Sequence, residues 1–312
     1  MINEKNKLVK SIIDKSSSAV LIKTIKMKTI HQEYKSQLNI SLEKFLSRNN
    51  ISDNEISLYK CLSTGVEFYT PRTMAGDKEF YEEIKPSGSS YRKERWEWNY
   101  VLDILKENDK VLEVGSGNLS FMQLAKNKNI DITGLEINSN MNTLAEKLNL
   151  NLINKTIEEY SLIHEDIKYD AIVSFHVIEH VSDIDSFINS CLKILNPGGL
   201  FIVALPNNQS FISIDPVAIM NMPPYHLTLW TPASLIETAK LYNLTIVDIV
   251  THKMQVDYIG WFNQCLYNFL RDKIGILGRI ISKIIRPVVT FFIKKGFIKL
   301  TSPEMIGVFK KK

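Results

Sequence analysis

The stretch Val-Leu-Glu-Val-Gly-Ser-Gly-Asn, residues 111–118, decides the fold of this chain. The apolar residues before the glycines are typical of a buried parallel strand. Gly115 and Gly117 allow a tight turn and a close approach of the backbone to a ligand. The helical pattern over residues 119–126 places the unpaired N–H groups of a first turn at that glycine loop. This order of strand, glycine turn and helix predicts an α/β fold with a ligand site at the turn.

A second apolar strand, residues 131–135, ends at Glu136, which lies 19 residues after Gly117. An acidic side chain there can accept hydrogen bonds from the two hydroxyls of a ribose. The dinucleotide-binding pattern needs a third glycine at position 120, where this chain has Ser120 after the bulky Leu119. A nicotinamide oxidoreductase is therefore disfavoured. A turn that uses glycine only for packing is the structural alternative to a nucleoside site.

Two further segments follow in a fixed order. Residues 169–181 read Tyr-Asp-Ala-Ile-Val-Ser-Phe-His-Val-Ile-Glu-His-Val, and residues 195–203 read Leu-Asn-Pro-Gly-Gly-Leu-Phe-Ile-Val. Together with Glu113 and the glycine loop, they resemble the motifs of class I, Rossmann-like S-adenosylmethionine-dependent methyltransferases. Within this class, the chain resembles bacterial glycan and sugar methyltransferases. The resemblance covers about residues 90–250 and the last few residues.

The alternation of strands and helices predicts a seven-stranded, mostly parallel sheet with helices on both faces. Its strands are expected near residues 110–114, 131–135, 150–153, 170–174, 199–204, 245–250 and 304–310. We predict four parts. These are an N-terminal helical extension with a degenerate metal-knuckle-like segment (1–85), the methyltransferase core (86–250), a basic amphipathic helical insertion (251–303) and the last core strand (304–312).

The resemblance implies S-adenosylmethionine as cofactor and assigns nine residues to it. These are Glu113, Gly115, Ser116, Gly117, Glu136, Thr156, Ile157, Phe175 and Arg95. Thr156 and Ile157 would flank the adenine, although many relatives have Asp where this chain has Thr156. Arg95 would meet the methionine carboxylate from a helix that Ser89 or Ser90 can cap. Packing of that helix into the core is the alternative for Arg95.

Four residues are candidates for catalysis: His176, Glu179, His180 and His226. Methyl transfer to a hydroxyl requires alignment and removal of a proton, and histidine suits proton removal near neutral pH. We rank His180 and His226 first as the base, with Glu179 as their orienting partner. His226 opens the run His-Leu-Thr-Leu-Trp, which resembles a loop over the acceptor pocket of glycan methyltransferases. A hydrogen-bonded structural role is the alternative for each histidine.

No metal site is expected. Cys61 and Thr64 stand where some glycan methyltransferases carry Cys-x-x-Cys, half of a zinc knuckle. Tetrahedral zinc needs four good ligands, which this segment does not supply. The three cysteines lie far apart in the sequence, which favours free thiols and a reducing cytoplasm.

The charge of the chain is unevenly distributed. Residues 251–312 hold 12 Lys and Arg against 3 Asp and Glu, whereas residues 1–250 hold 26 against 31. This asymmetry argues against nucleic-acid binding by the core and indicates a local anionic partner. Residues 260–300 place Arg279, Lys283 and Arg286 at helical spacing among isoleucines, a pattern typical of membrane-surface helices. A helical hairpin that buries its apolar face in the core or in a dimer is the alternative.

These observations predict a cytoplasmic methyltransferase, peripheral on the inner face of the membrane. It would use S-adenosylmethionine to O-methylate a sugar in a cell-surface or lipid-linked glycan. The alternative is a catalytically inactive protein of the same fold that acts as a membrane-bound scaffold. The sequence does not predict the oligomeric state or the identity of the acceptor.

Overall fold

The computed structural model of this chain describes residues 8–84, 95–215 and 218–312. The part before the first gap contains strands and helices in alternation. In chain order they are β1 (Val9–Lys10), β2 (Ser18–Lys26), α1 (Met27–Leu38), α2 (Glu43–Arg48), β3 (Glu55–Cys61), β4 (Glu67–Thr70) and α3 (Lys78–Ile84). The predicted capping residues Ser89 and Ser90 lie outside the described residues.

The prediction of a helical N-terminal extension is wrong for Ser18–Lys26, which form strand β2. Four of these nine residues are β-branched, which favours a pleated surface over a helix. The strand pairs antiparallel with β3, from Ala19 opposite Cys61 to Lys26 opposite Glu55. Its partner is some thirty to forty residues away, so the local sequence alone did not reveal the pairing. The α-helices described in residues 8–84 are α1, α2 and α3.

The elements after residue 95 alternate as the sequence predicts. In chain order they are α4 (Trp96–Ile104), β5 (Lys110–Val114), α5 (Ser120–Asn127), β6 (Asp131–Leu135), α6 (Asn142–Leu148), β7 (Asn151–Ile153), α7 (Ile157–Ile163), β8 (Tyr169–Phe175), α8 (Ile184–Ile194), β9 (Leu195–Pro206), β10 (Thr228–Leu229), α9 (Pro232–Leu241), β11 (Leu244–Lys253), α10 (Ile259–Lys294) and β12 (Thr301–Lys311).

Seven of these strands form one sheet in the order β11-β12-β9-β8-β5-β6-β7. The five strands from β9 to β7 are parallel, and β12 runs antiparallel to both of its neighbours. This arrangement confirms the predicted seven-stranded, mostly parallel sheet. The carboxyl ends of parallel strands meet at one edge of a sheet. The residues that follow β5, β6 and β8 therefore converge there.

Both faces of the sheet are covered, as a parallel sheet requires. Successive residues along β5 and β8 point to opposite faces. Leu112 and Ile172 belong to one buried apolar cluster, with α7 and α8 on that face. Val111 and Val173 belong to a second cluster, with α4 and α5 on the opposite face. The two layers hold the carboxyl edge of the sheet in place.

A second, antiparallel sheet has the order β1-β2-β3-β4-β10. Its last strand, β10, comes from the segment that follows β9 in the main sheet, and Thr228 pairs with Phe68 of β4. The segment before β10 carries His226. The second sheet therefore holds this segment beside the main sheet, where Leu227 N–H donates to the carbonyl of Glu179 at 2.9 Å.

The insertion between β11 and β12 is a helical hairpin. Helix α10 is interrupted at Ile274 and Gly275, where Gly275 has φ +58°. The two arms, residues 259–273 and 276–294, then run antiparallel. Asn263 Nδ2 donates to Thr290 Oγ1 across them at 3.0 Å, and the second arm meets the first at Gly278, where a Cβ would overlap the carbonyl oxygen of Leu270.

Candidate active site

The glycine loop leaves β5 in a conformation that side chains rarely adopt. Gly115 and Gly117 have φ of +79° and +51°. The amides of Gly115 and Ser116 both donate to the carbonyl of Leu135 in β6, at 2.8 and 3.0 Å. A Cβ at Gly115 would overlap the side chain of Val177. Glycine is therefore required by both the backbone geometry and the packing.

Glu136 fixes this loop from the neighbouring strand. Its carboxylate accepts the Gly117 N–H at 2.8 Å and the Asn138 N–H at 2.9 Å. A carboxylate has about four lone-pair positions, so two remain for further donors. The side chain is thus held in place beside the loop with acceptor capacity left over, as ribose binding would need.

Glu113 lies at the end of β5 with only 3% of its surface exposed. Its Oε2 has no hydrogen-bond partner among the described residues. Burial, together with the nearby charge of Glu136, raises the pKa of the Glu113 carboxyl well above its ordinary value. A buried carboxyl without a donor fits a cationic group of a ligand. The residues around this loop therefore fit a ligand that carries both a ribose and an ammonium group.

The predicted adenine position is only partly available. The Thr156 hydroxyl accepts the Glu159 N–H at 3.2 Å and caps α7, while the Glu159 carboxylate accepts the Thr156 N–H. Ile157 is 1% exposed and packs in the core. Because the Ile157 side chain lies in the core, this residue could flank an adenine only through its backbone.

Phe175 and Arg95 lie on the opposite side of the loop. Phe175 packs against Phe121 with ring centroids 4.7 Å apart, and it meets Trp98 edge-on at 6.5 Å. The Arg95 guanidinium lies 5.7 Å from the Trp98 ring and 3.9 Å from the Glu97 carboxylate. Arg95 thus stands at the start of α4, beside the charged groups that follow β8.

His176 lies between two buried carboxylates. Its Nε2 is 3.3 Å from Glu97 and its Nδ1 is 3.4 Å from Glu179. Although burial opposes the charge, hydrogen bonds to Glu179 and Glu97 raise the pKa of His176 to about 9. The imidazole is therefore protonated near neutral pH. This corrects its prediction as a candidate base and gives it the role of a fixed cation.

Glu97 and Glu304 are site residues that the sequence argument missed. Glu97 is 1% exposed on α4, and Glu304 of β12 accepts the Trp96 indole N–H at 3.2 Å. In the sequence, Glu97 on α4 precedes the residues that follow β8, and Glu304 on β12 comes after them. A glutamate in the first turn of a helix is ordinarily solvated, so neither its residue type nor its spacing distinguishes Glu97.

His180 is oriented by its Nδ1 atom, which lies 2.5 Å from the Tyr225 carbonyl oxygen. A carbonyl oxygen can only accept, so Nδ1 carries the proton of the neutral ring. The Tyr81 hydroxyl, 2.9 Å from Nδ1, also donates to the Tyr225 carbonyl. The lone pair of His180 is therefore on Nε2. Burial lowers the pKa of this imidazole and keeps the ring unprotonated at neutral pH.

The Glu179 carboxylate lies close to both His180 and His226. Each histidine places Nε2 3.9 Å from Glu179 Oε1, too far for a hydrogen bond. His226 Nδ1 and Glu179 Oε2 are buried without hydrogen-bond partners in the described part of the chain, while Glu179 Oε1 lies 3.4 Å from His176 Nδ1. Burial holds the pKa of His226 well below its ordinary value, and the hydrogen bond from the protonated His176 keeps the Glu179 carboxylate ionised despite its burial. These groups can take a proton from a bound hydroxyl, and they also lie close enough together to hold a divalent cation.

A polar cavity of about 210 Å³ lies next to the segment that carries His226. Met222, whose carbonyl accepts the His226 N–H at 3.2 Å, is part of its wall. Hydrogen-bonding groups and one aromatic ring make up about half of the wall, and six apolar side chains make up the rest. The polar and aromatic residues are Lys23, Glu67, Tyr69, Asn208, Ser213, Asp215 and Asn221.

Comparison with known proteins identifies the class. Residues 90–249 match the family described as Methyltransferase domain, and the chain belongs to this family. The Archaeoglobus fulgidus SAM-dependent methyltransferase structure superposes with a TM-score of 0.50 at 19% identity, covering 75% of this chain and 100% of that one. The chain therefore carries a methyltransferase domain, and S-adenosylmethionine is the cofactor of this class.

Two curated relatives match parts of the chain. The Probable S-adenosylmethionine-dependent methyltransferase of Mycolicibacterium smegmatis is 32% identical over 83 residues, which cover 27% of this chain and 31% of the relative. The Ubiquinone biosynthesis O-methyltransferase of Bartonella tribocorum is 25% identical over 169 residues, covering 52% of this chain and 66% of the relative. The matches thus span from about a third to two thirds of these relatives' lengths.

Proposed function

We propose that this methyltransferase transfers the methyl group to a hydroxyl of a sugar in a cell-surface or lipid-linked glycan. The bound cofactor supplies an activated methyl group on a sulfonium. Glu136 would accept the ribose hydroxyls, and the loop from Gly115 to Gly117 would let the backbone approach the methionine portion. Glu113 would face the cofactor's ammonium group. Arg95, at the start of α4, would reach the carboxylate end.

The observation that carries the proposal is the arrangement of His180. Its Nε2 carries a lone pair because Nδ1 donates to the Tyr225 carbonyl. The acceptor oxygen would attack the methyl carbon while the carbon–sulfur bond breaks and its electrons return to sulfur. The hydroxyl proton would pass to His180 Nε2, and the ionised Glu179 would stabilise the imidazolium. His226, on the other side of Glu179, would shape the acceptor pocket.

The polar cavity supports a sugar as acceptor. Sugars present many hydroxyl groups and an apolar face, and the cavity offers amide, carboxylate and ammonium groups beside the ring of Tyr69. The amide oxygen of Asn221 is buried without a hydrogen-bond partner in the described part of the chain, so a hydroxyl donor would satisfy it.

A second candidate acceptor is a phenolic hydroxyl of an isoprenoid quinone precursor. It is favoured by the name of the Bartonella tribocorum relative, a ubiquinone biosynthesis O-methyltransferase. The same base would serve a phenol, which loses its proton more easily than a sugar hydroxyl. The polar wall of the cavity favours the sugar.

Methylation of two matched acceptor sets separates these candidates. The protein and S-adenosylmethionine are incubated with short glycans and, separately, with catechol-type phenols, and products are analysed by mass spectrometry. We expect the glycan to gain about 14 mass units. Digestion of this product with a glycosidase should then release a methylated monosaccharide. Methylation of phenols alone would overturn the sugar assignment.

A further inference from the structure

The second arm of the hairpin carries an exposed apolar stripe along its length. Five side chains spaced three or four residues apart form it, and each is between 52% and 67% exposed. We call this set the apolar stripe; it consists of Leu277, Ile280, Ile284, Val288 and Phe291. Residues at this spacing lie on one face of a helix. An exposed row of five large apolar side chains is far beyond what a surface helix ordinarily leaves to water.

The hairpin does not use this stripe to pack against the protein. The second arm meets the first through a different face, where Gly278 and Ser282 are buried. Val289 and Ile293 pack with the apolar cluster around Phe262. The expected alternative, a hairpin that buries the whole apolar surface in the core, is therefore not what the chain adopts.

The charge beside the stripe is of one sign. Residues 273–300 contain seven Lys and Arg and no Asp or Glu. Arg279, Lys283 and Lys294 follow one another on the side of the arm next to the stripe, as the 3.6-residue period of a helix requires. Two copies of this surface would repel each other if they paired symmetrically. A layer of anionic headgroups above an apolar interior complements both features.

We propose that the apolar stripe and its basic border dock this protein on an anionic lipid surface. The helix would lie in the plane of the interface, with the stripe among the acyl chains and the basic side chains at the headgroups. No helix within the described ranges has both the length and the apolar character that crossing a bilayer requires.

The docked hairpin also borders the polar cavity. Asn268 of the first arm donates to Asp215 of the cavity wall at 2.6 Å. Ile212, another wall residue, packs in the same cluster as Phe262 of that arm. A lipid surface beneath the second arm would therefore lie close to the mouth of the acceptor site. Docking itself does not depend on which acceptor is methylated.

Vesicle flotation tests the docking without cofactor or acceptor. The full chain is mixed with vesicles of phosphatidylcholine alone or with phosphatidylglycerol added. We expect flotation with the anionic vesicles and much less with the neutral ones, and a loss of binding as salt rises. The double variant Arg279→Gln, Lys283→Gln should bind about 30-fold more weakly, since each basic residue near the surface contributes about a fivefold factor.

Matched controls separate docking from general surface changes. Ile280→Ser with Ile284→Ser should weaken binding at least about tenfold through the lost apolar insertion. Leu162→Ser with Ile163→Ser removes equally exposed apolar groups from α7 and should leave binding unchanged, as should Lys28→Gln with Lys44→Gln.

Three results would overturn the proposal. The first is wild-type protein that stays unbound with anionic vesicles. The second is equal binding by the stripe variants and their controls. The third is a dimer in sedimentation that Ile280→Ser with Ile284→Ser dissociates, with no vesicle binding, because this would assign the stripe to a second copy. Methyl transfer to a soluble glycan would be untouched by any of these results, so failure here is distinct from failure of the proposed reaction.

Discussion

At the scale of residues, the protonated His176 is the central charge of the site that follows β8. His176 is held protonated between Glu97 and Glu179, and Arg95 adds a second positive charge 3.9 Å from Glu97, so the two carboxylates are balanced without a charge on His180 or His226. Burial then keeps the latter two imidazoles neutral, with lowered pKa values. Removing one partner of such a buried pair leaves an uncompensated charge, which typically costs several kcal/mol. The neighbouring histidines thus have opposite protonation states at one pH.

This division predicts how activity depends on pH. Burial lowers the pKa of His180 below its ordinary value of 6.5. Protonation of this imidazole should therefore reduce kcat only at pH values below 6.5. We expect an acid limb with a midpoint under 6.5 in the pH–rate profile.

His180→Ala should lower kcat by about 10²- to 10⁴-fold, and His226→Ala should likewise affect methyl transfer far more than cofactor affinity. His164→Ala, which changes the histidine that follows the last residue of α7, is the control.

Two results would contradict this assignment. An acid limb above 6.5 would mean that another group accepts the proton. Activity lost on chelation of divalent cations and restored by Mg²⁺ would make His180 and His226 metal ligands, together with Glu179, instead of proton acceptors.

Residues whose role follows from local sequence were the predictable part of the site. Gly115 and Glu136 follow strands that the apolar pattern identifies, and their positions relative to the sheet edge follow from the fold. Glu97 was not predictable, because its partner His176 is 79 residues away and only the packing of α4 joins them. The protonation of His176 depends on that same packing.

At the scale of elements, the hairpin of α10 is the largest departure from the common core. Its two arms approach most closely at Gly278, where any side chain would meet the Leu270 carbonyl. The helical periodicity of the insertion was visible in the sequence. The sequence could not show which face is buried, because small residues such as Gly278 and Ser282 form the contact between the arms and the large apolar ones stay outside.

Gly278→Ala tests this contact against a matched glycine in the same helix. We expect it to lower the free energy of unfolding by about 1–3 kcal/mol, because the backbone of Leu270 has little freedom to move. At Gly260 none of the described atoms lies within 4 Å of an added Cβ. Gly260→Ala should therefore be neutral or stabilising by up to about 1 kcal/mol through helix propensity. Urea denaturation measures both, and equal effects of the two changes would contradict the hairpin packing.

At the scale of the whole molecule, three units converge on the carboxyl edge of the main sheet. The glycine loop and Glu136 lie on one side of this edge, and the second sheet holds His226 near Glu179 on the other. The hairpin contacts the wall of the polar cavity through the hydrogen bond from Asn268 to Asp215. The seven strands of the main sheet and its mostly parallel character followed from the sequence pattern. The antiparallel sheet did not, because β2 and β10 pair with strands remote in the sequence.

We assign cofactor binding to Glu136 and proton removal to His180. Calorimetric titration with S-adenosylhomocysteine tests most directly whether these two roles are separate. We expect the wild-type protein to bind it and Glu136→Ala to lose about tenfold or more in affinity, because hydrogen bonds to a charged carboxylate contribute about 1.5–3 kcal/mol each. His180→Ala should bind it as the wild type does. Absence of binding by the wild-type protein, or equal losses in the two variants, would contradict a cofactor site at Glu136 that is separate from the base.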